Sequence, residues 1–481
     1  MTDPNSTSTQ PSGSALKEWL AKVRPKFVAL LVLLIFQVYL ITSSDGFYYI
    51  DEGAHFMDDF AALTRPSVSI GVWQRFGSVW FFTLPAQLGH VGVMVFASIV
   101  FLLTIFIAYK VAELEHLPYK EWLIVLAGFQ PVFLDISFTC LAEVPAALFL
   151  ILAYYLYRTS RWKLSLTVAS AVFLCRYEMS ILAVLIFLAA IRHRKYSALP
   201  FAIIGPALWY VSSLLFTGDP GWLLREFVKF GSLPKFIQGT TWYHYFQHSF
   251  SIFGVIQVLL AIVSLLFALS RRRVRFAIPL LTILWCFAFN TIASAEQFHW
   301  SPSVGDFRYL ATVAPFVALF SLDGLSNIMD LSGRIPFSKV IPPLLAIIMI
   351  FNAVSFVRPH RISPYEVAVM TATRKAAEDS SDAPILSNHW ASRYALMSRG
   401  SEMKRLRGLT RLNYLEYPRE YVVWDSQIAN SMFSQQALTL EDVRKDSAVR
   451  LVEAIDLGYD SVSLYLRDIG RIGKPTPTGS P

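Results

Sequence analysis

Apolar runs follow one another along most of this chain, most of them near the roughly 17–25 residues needed to cross a bilayer's hydrocarbon core. They fall at 27–43, 91–109, 122–139, 141–157, 198–216, 251–269, 276–294, 309–329 and 339–357, with shorter runs at 163–175 and 179–191. Composition agrees: 54% of the residues are hydrophobic and 16% charged, against about a quarter charged in soluble domains. The pattern predicts an α-helical polytopic membrane protein with about eleven transmembrane helices.

The basic residues fix a direction. Cytoplasmic loops carry an excess of Lys and Arg. With the N-terminus in the cytoplasm, the clusters "YKVAELEHLPYKEW", "YRTSRWK", "RHRK", "RRRVR" and "SGRIPFSK" all fall inside. If 163–191 were one span, the later clusters would fall outside, so the charge pattern predicts two short elements meeting at Arg176 and Glu178. The net charge of +8 therefore belongs to membrane loops, and no nucleic acid partner is expected. Residues 1–16 are polar and expected to be disordered. Residues 17–357 form the transmembrane domain, opened by a retained signal anchor. Cys140, Cys175 and Cys286 lie in or beside apolar segments without metal-ligand spacing and read as small buried hydrophobes.

This topology places many ionisable groups on one face. The first outer loop, 44–90, contains "YYIDEGAHFMDD", with Asp51, Glu52, His55, Asp58 and Asp59. Asp135 and Glu143 flank a tight turn, Arg176 and Glu178 sit at the break, and "AEQFHWSPSVGDFRYLATVAPF" brings His299, Asp306 and Arg308. Ionisable residues at span ends are rare and usually face a cavity. The acids are therefore expected to line an outward-facing site. Asp58 and Asp59 also suit the polar face of an interfacial helix, and the aromatic stretch 67–89 suits a second one. The "TTWYHYF" aromatics read as an interfacial belt.

From Arg358 onward the chain is polar, and a small extracytoplasmic α/β domain is expected over 358–470, with 471–481 disordered. "EVAVMTATRKAAED" and "LTLEDVRKDSAVRLVEAI" read as helices; "APILSN", "REYVVWDS" and "DSVSLYLRD" read as strands. "HW" at 389–390 reads as packing within that domain.

The ordered series of motifs over about 10–357 resembles the GT-C integral-membrane glycosyltransferases. "YIDEGAHF" resembles that family's first-loop Asp-Glu motif, "CLAEVPAALFLILAYYLY" its fourth-span Glu, "FLCRYEMSILAVL" its broken-helix Arg-x-Glu, and "DFRYLATVAPFVALF" its late Arg-Tyr-Leu…Pro motif. The His-Lys-Glu-x-Arg-Phe run of the eukaryotic mannosyltransferases is not intact, since "WSPSVGDF" separates His299 from Arg308. The resemblance implies transfer, with inversion, of mannose or a similar hexose or pentose. The donor is a polyprenyl-phosphate sugar and the acceptor a hydroxyl on the extracytoplasmic face.

The chemistry such a reaction needs agrees with the residues. A hydroxyl needs a positioned carboxylate to take its proton, and Asp51 is the first candidate with Glu52 beside it. The departing lipid phosphate needs a cation; Arg308 and Arg176 are the candidates, with His299 as a further donor. Glu143 and Asp58 are candidates for orienting the acceptor or holding a metal, and whether a divalent cation is required is left open. Two other classes share parts of the pattern. A secondary transporter also uses broken helices, and an O-antigen ligase or polymerase also acts on lipid-linked sugars. A scaffold of the same architecture would keep its role without Asp51.

Overall fold

The structure, a computed structural model, describes residues 25–231, 240–271, 275–294, 305–332, 340–379, 382–397, 400–407, 417–426, 440–457 and 461–468. His299 and Glu296, and the stretch between Ser294 and Gly305, lie outside the described residues.

Apolar helices account for each expected run. They are α1 (Pro25–Ser43), α4 (Gly89–Leu114), α5 (Leu123–Gly128) with α6 (Pro131–Asp135), α7 (Glu143–Arg158), α8 (Trp162–Cys175), α9 (Ile181–Arg192) and α10 (Ile204–Thr217). The series continues with α12 (Val255–Ser270), α13 (Ala277–Ser294), the turn α14 (Arg308–Ala311) running into α15 (Ala314–Ser332), and α16 (Ile341–Phe356). Two helices of the first loop, α2 (Tyr49–Ala62) and α3 (Phe76–Ala86), and an amphipathic helix α11 (Trp222–Gly231) lie between them. By length and composition, Gly89–Leu114, Tyr196–Thr217 and Ala277–Ser294 are sufficient to cross a membrane.

The expected span 122–139 is not one continuous helix. Pro131 has no N–H to continue the ladder, and the chain leaves helical geometry at Phe129. Exposed backbone is tolerated at membrane depth only where protein covers it, and here side chains do so. Gln257 Nε2 donates to the Phe129 carbonyl at 3.1 Å, and Gln130 Nε2 donates to the Ala314 carbonyl at 2.9 Å. Small residues let neighbouring helices touch: a Cβ on Gly324 of α15 would lie 1.9 Å from the Leu260 carbonyl oxygen of α12. The polar residues Gln37, Ser98 and Ser137 link α1, α4 and the end of the broken segment by hydrogen bonds of 2.6–2.8 Å.

The break between α8 and α9 is as expected. A 3-10 turn, Tyr177–Ser180, separates the helices, and Arg176 is extended. The turns carrying Glu115, Arg158 and Arg275 meet at one end of the bundle, where Glu115 is paired with Arg158 and lies 3.8 Å from Arg275. The first-loop acids lie at the other end.

The C-terminal region carries a five-stranded sheet in the order β2-β1-β3-β5-β4. Its strands are β1 (Ile385–Leu386), β2 (Leu406–Arg407), β3 (Arg419–Asp425), β4 (Val449–Asp456) and β5 (Ser461–Asp468). Strands β1, β2 and β3 are parallel, and β5 runs antiparallel to β3 and β4. Helix α17 (Pro364–Glu378) starts on a capping box, Ser363 with Glu366. The expected helix over "LTLEDVRKDSAVRLVEAI" is corrected. Among its described residues only Leu440–Lys445 is helical, and β4 follows. Asp446 ends the helix by accepting from Ala448 N at 2.9 Å and from Arg467 Nε at 2.7 Å, which ties the turn to β5.

Trp390 is a second correction: it does not pack only within its own domain. Helix α18 (Trp390–Leu396) docks on α2 and the segment before it, where the indole meets Phe47 edge-on at 4.6 Å. A Cβ on Gly53 of α2 would come within 2.4 Å of that indole. Gly53→Val should therefore loosen the docking, lowering the thermal midpoint by an amount equivalent to about 2 kcal/mol. Differential scanning fluorimetry of the full chain would measure it, and limited proteolysis should cut first near α18.

Candidate active site

Helix α2 carries the acidic motif, and two acids in its first turn suit the positive end of the helix dipole. Helical geometry gives Asp51 and Glu52 different faces. Asp51 is 40% exposed in its side chain and pairs with Arg308. Glu52 is fully buried: its carboxylate accepts from Cys140 N at 3.2 Å and from Tyr48 N, with His90 Nε2 at 3.7 Å. The two neighbouring acids thus separate into one at the site and one that pins α2 to the turn before α7.

Arg308 gathers the site. It comes at the start of the late helix, where Asp306 Oδ1 accepts from its backbone N at 3.0 Å and Asp306 Oδ2 lies 3.2 Å from its Nε. Behind it, at 3.8 Å, lies Glu143, the first residue of α7. Glu143 also accepts from Arg176 at 3.0 Å, and Arg176 Nε is 2.6 Å from Glu178. Tyr309 lies under both guanidiniums, 4.5 Å from that of Arg176 and 5.5 Å from that of Arg308. Arg308, Arg176, Glu143 and Glu178 are all buried. Four separated stretches therefore bring Asp51, Glu143, Arg176 and Arg308 together.

Asp58 sits two turns along the Asp51 face, outside this cluster and 3.6 Å from Arg393 of the C-terminal domain. The expectation of a solvated polar face for Asp58 and Asp59 is corrected, since they are 8% and 1% exposed. Arg393 of the C-terminal domain, with Arg65 and Gln74 of the loop, covers Asp58, and Cys140 of the turn before α7 faces Asp59. "TTWYHYF" likewise has a packing role: a ring nitrogen of His244 is 2.9 Å from the Gly305 carbonyl, steadying the turn before Arg308.

Arg75 was not legible as a site residue. It is close enough to Asp51 and Glu143 to act on both charges. Its guanidinium lies 4.4 Å over the Tyr177 ring, and its backbone is left-handed at φ 60°. Such backbone costs roughly 1–2 kcal/mol in a non-glycine residue. Among the described residues, the buried Nη1 atoms of both Arg75 and Arg308 have no hydrogen-bond acceptor. The signal available in the sequence was a lone cation in the otherwise uncharged "VWQRFG". Directly beyond it, Phe76, Trp80, Phe81, Phe149, Leu174 and Phe216 line an apolar groove of about 510 Å³.

Burial raises the Asp51 carboxyl, but the Arg308 charge and hydrogen bond, with His55 and Arg75, outweigh it and hold Asp51 below its ordinary range. His55, stacked on Trp73 at 4.5 Å, is pushed down to about 4 by burial, with Arg308 and Arg75 adding to the effect against Asp51 and Glu143. Asp58 is pushed up to about 6 by burial, against Arg393, Arg65 and Gln74.

The Asp58 value has a stability consequence. Its folded value lies above the ordinary 3.8, so its contribution is present below about pH 4 and lost as pH rises through about 6. Asp58→Asn, which stays neutral, should be more stable than the parent by roughly 2 kcal/mol at pH 7.5. The gap should shrink as pH falls below about 6 and close by about pH 4. Thermal midpoints at both pH values check it.

Among the described residues, no group of three or more His, Cys, Asp or Glu side chains is arranged to hold a metal ion. No protein-family model matches the sequence, and no curated protein matches it. Among solved structures the chain is similar to the crystal structure of ArnT from Cupriavidus metallidurans bound to undecaprenyl phosphate. That similarity has a TM-score of 0.62 over 94% of this chain and 99% of that one, at 9% identity. The chain shares the fold of that protein, a multi-helix bundle carrying a small C-terminal sheet.

Proposed function

We propose that this chain is a membrane glycosyltransferase that moves a sugar from a polyprenyl-phosphate donor to an acceptor hydroxyl, with inversion. One observation carries the reading. A half-exposed carboxylate, Asp51, faces a buried arginine, Arg308, with a second arginine, Arg75, close enough to act on the same charge, and an apolar groove begins at the residue after Arg75. The fold, shared with a protein crystallised with undecaprenyl phosphate, supports it.

In this reading the lipid tail lies along α3 and α8, and the phosphate meets the free N–H groups of Arg75 and Arg308. As the sugar–phosphate bond breaks, those cations stabilise the charge gathering on the leaving phosphate. Asp51 takes the proton from the acceptor oxygen as the new glycosidic bond forms. Glu143 holds Arg308 from behind, and Arg176, engaged by Glu143 and Glu178, braces the broken helix. Glu52 positions the helix that presents Asp51. His55 is neutral at pH 7 and takes no second proton. The sugar is a hexose or pentose such as mannose. The site faces away from the cytoplasm, with the N-terminus inside and the 358–470 domain outside, as the basic turns at the opposite end of the bundle suggest.

The test is a transfer assay with purified protein and a panel of radiolabelled polyprenyl-phosphate sugars, with and without chelator, alongside binding of undecaprenyl phosphate. Donor turnover requiring Asp51 is expected. Absence of both lipid binding and turnover, or proton-coupled transport by reconstituted protein, overturns the reading.

A further inference from the structure

A second cleft, of about 630 Å³, opens between the far half of α2 and the C-terminal domain. Its α2 wall is Met57, Phe60 and Ala61, on one helix face, with Thr64 and Arg65 in the turn just past the helix end. The opposite wall is Ser387 after β1, Arg393 on α18, and Met403, Lys404, Leu406 and Arg407 around β2. Among these described lining residues are four cations and no carboxylate. The contrast with the cavity at the other end of the bundle decides the sign of the ligand. There Arg158, Arg271 and Arg275 are accompanied by Glu115 and Asp323 in the lining itself. In the cleft under the C-terminal domain, Asp58 lies behind Arg393 at 3.6 Å.

We infer that this cleft binds an acidic oligosaccharide, bearing carboxylate or phosphate groups, as the acceptor. The inference rests on the proposed glycosyltransferase reading. Three features select this ligand. The walls combine apolar side chains, Met57, Phe60, Met403 and Leu406, with flanking cations, which suits a sugar face carrying charged substituents. Among the described lining residues, all come from α2, the turn after it and the C-terminal domain and none from a bundle helix, so the ligand is reached from water rather than from the bilayer. On α2 the cleft begins at Met57, six residues and roughly 9 Å along the axis beyond Asp51, on a face turned by about 120° from it. An oligosaccharide anchored there passes round α2 to present its terminal hydroxyl to Asp51.

The experiment uses the full chain in nanodiscs and fluorescent probes: tetragalacturonate, phosphorylated pentamannose, and neutral pentamannose. Binding of at least one acidic probe but not the neutral one is expected, and which one binds identifies the anion. The double substitution Lys404→Glu, Arg407→Glu should weaken that binding by about tenfold or more, with undecaprenyl phosphate affinity unchanged. Equal binding of charged and neutral probes, binding of none, or indifference to the charge reversal overturns the inference. So does loss of probe binding in phosphatidylglycerol nanodiscs with retention in phosphatidylcholine, which would assign the cleft to lipid headgroups. Undecaprenyl phosphate binding reports on the donor site separately, so failure here leaves the transferase reading standing, and failure there leaves the anion cleft standing.

Discussion

Replacing Asp51 by Asn is expected to lower kcat for sugar transfer about a thousandfold, the middle of the range for removing a general base. Asn keeps the shape and accepts a hydrogen bond from Arg308, but cannot take the acceptor's proton. Two accompanying results separate this from a folding defect. Arg308 keeps Asp306 and Glu143, and the Asp51 side chain is 40% exposed, so the stability loss should stay below about 1 kcal/mol after solvent screening. Undecaprenyl phosphate should bind the variant at least as tightly as the parent, because the charge that competes with phosphate for Arg308 is gone. The pH profile follows the same logic. Asp51 is held below its ordinary 3.8, so it is ionised, and its pairing with Arg308 present, from neutral pH down to about 4, being lost below that. An acid limb of kcat in the parent that falls near pH 6 would instead point to a group other than Asp51. Glu52→Gln makes a contrast: it should lower stability and activity together, since Glu52 holds buried backbone donors and touches no exposed surface.

How much of this was legible before the structure depends on what each inference required. The convergence of Asp51, Glu143, Arg176 and Arg308 needed only the order of the spans and the side on which each turn falls, and the basic clusters supply both. Separating Asp51 from Glu52 needed more. In an irregular loop neighbours point either way, whereas in a helix they are turned by about 100° from each other, and that the motif lies inside α2 is fixed by packing against α18, far along the chain. Arg75 was hidden for a related reason. Its importance comes from proximity to Asp51 and from a strained backbone, and neither leaves periodicity in the sequence. The apparent length of the 122–139 run concealed its break because the groups that make the break tolerable, Gln257 and the Ala314 carbonyl, are distant in sequence. In β4 the run "VRLVEAI" satisfies helical and strand spacing alike, and pairing with β5 decides it.

Arg308 carries the second large effect, and two substitutions divide its roles. Arg308→Met removes a buried cation from among Asp51, Asp306 and Glu143. Leaving carboxylates without their counter-charge costs about 3–5 kcal/mol, so this variant should be poorly stable as well as inactive, and by itself proves little. Arg308→Lys keeps the charge and loses the fork. An ammonium is a point charge on a flexible stem, and it cannot face Asp51, Asp306 and a phosphate oxygen in fixed directions as the guanidinium does. The lysine variant should therefore retain most of the stability, within about 1 kcal/mol, while kcat/KM falls roughly a hundredfold, the size expected for loss of one oriented donor to a developing negative charge. Undecaprenyl phosphate affinity should fall by about tenfold, less than the transfer rate, because charge on the phosphate grows as the sugar departs. Equal losses in binding and transfer would mean that Arg308 grips the ground state only. Unchanged transfer by the lysine variant would mean that the phosphate lies elsewhere, with Arg308 serving to hold three acids together.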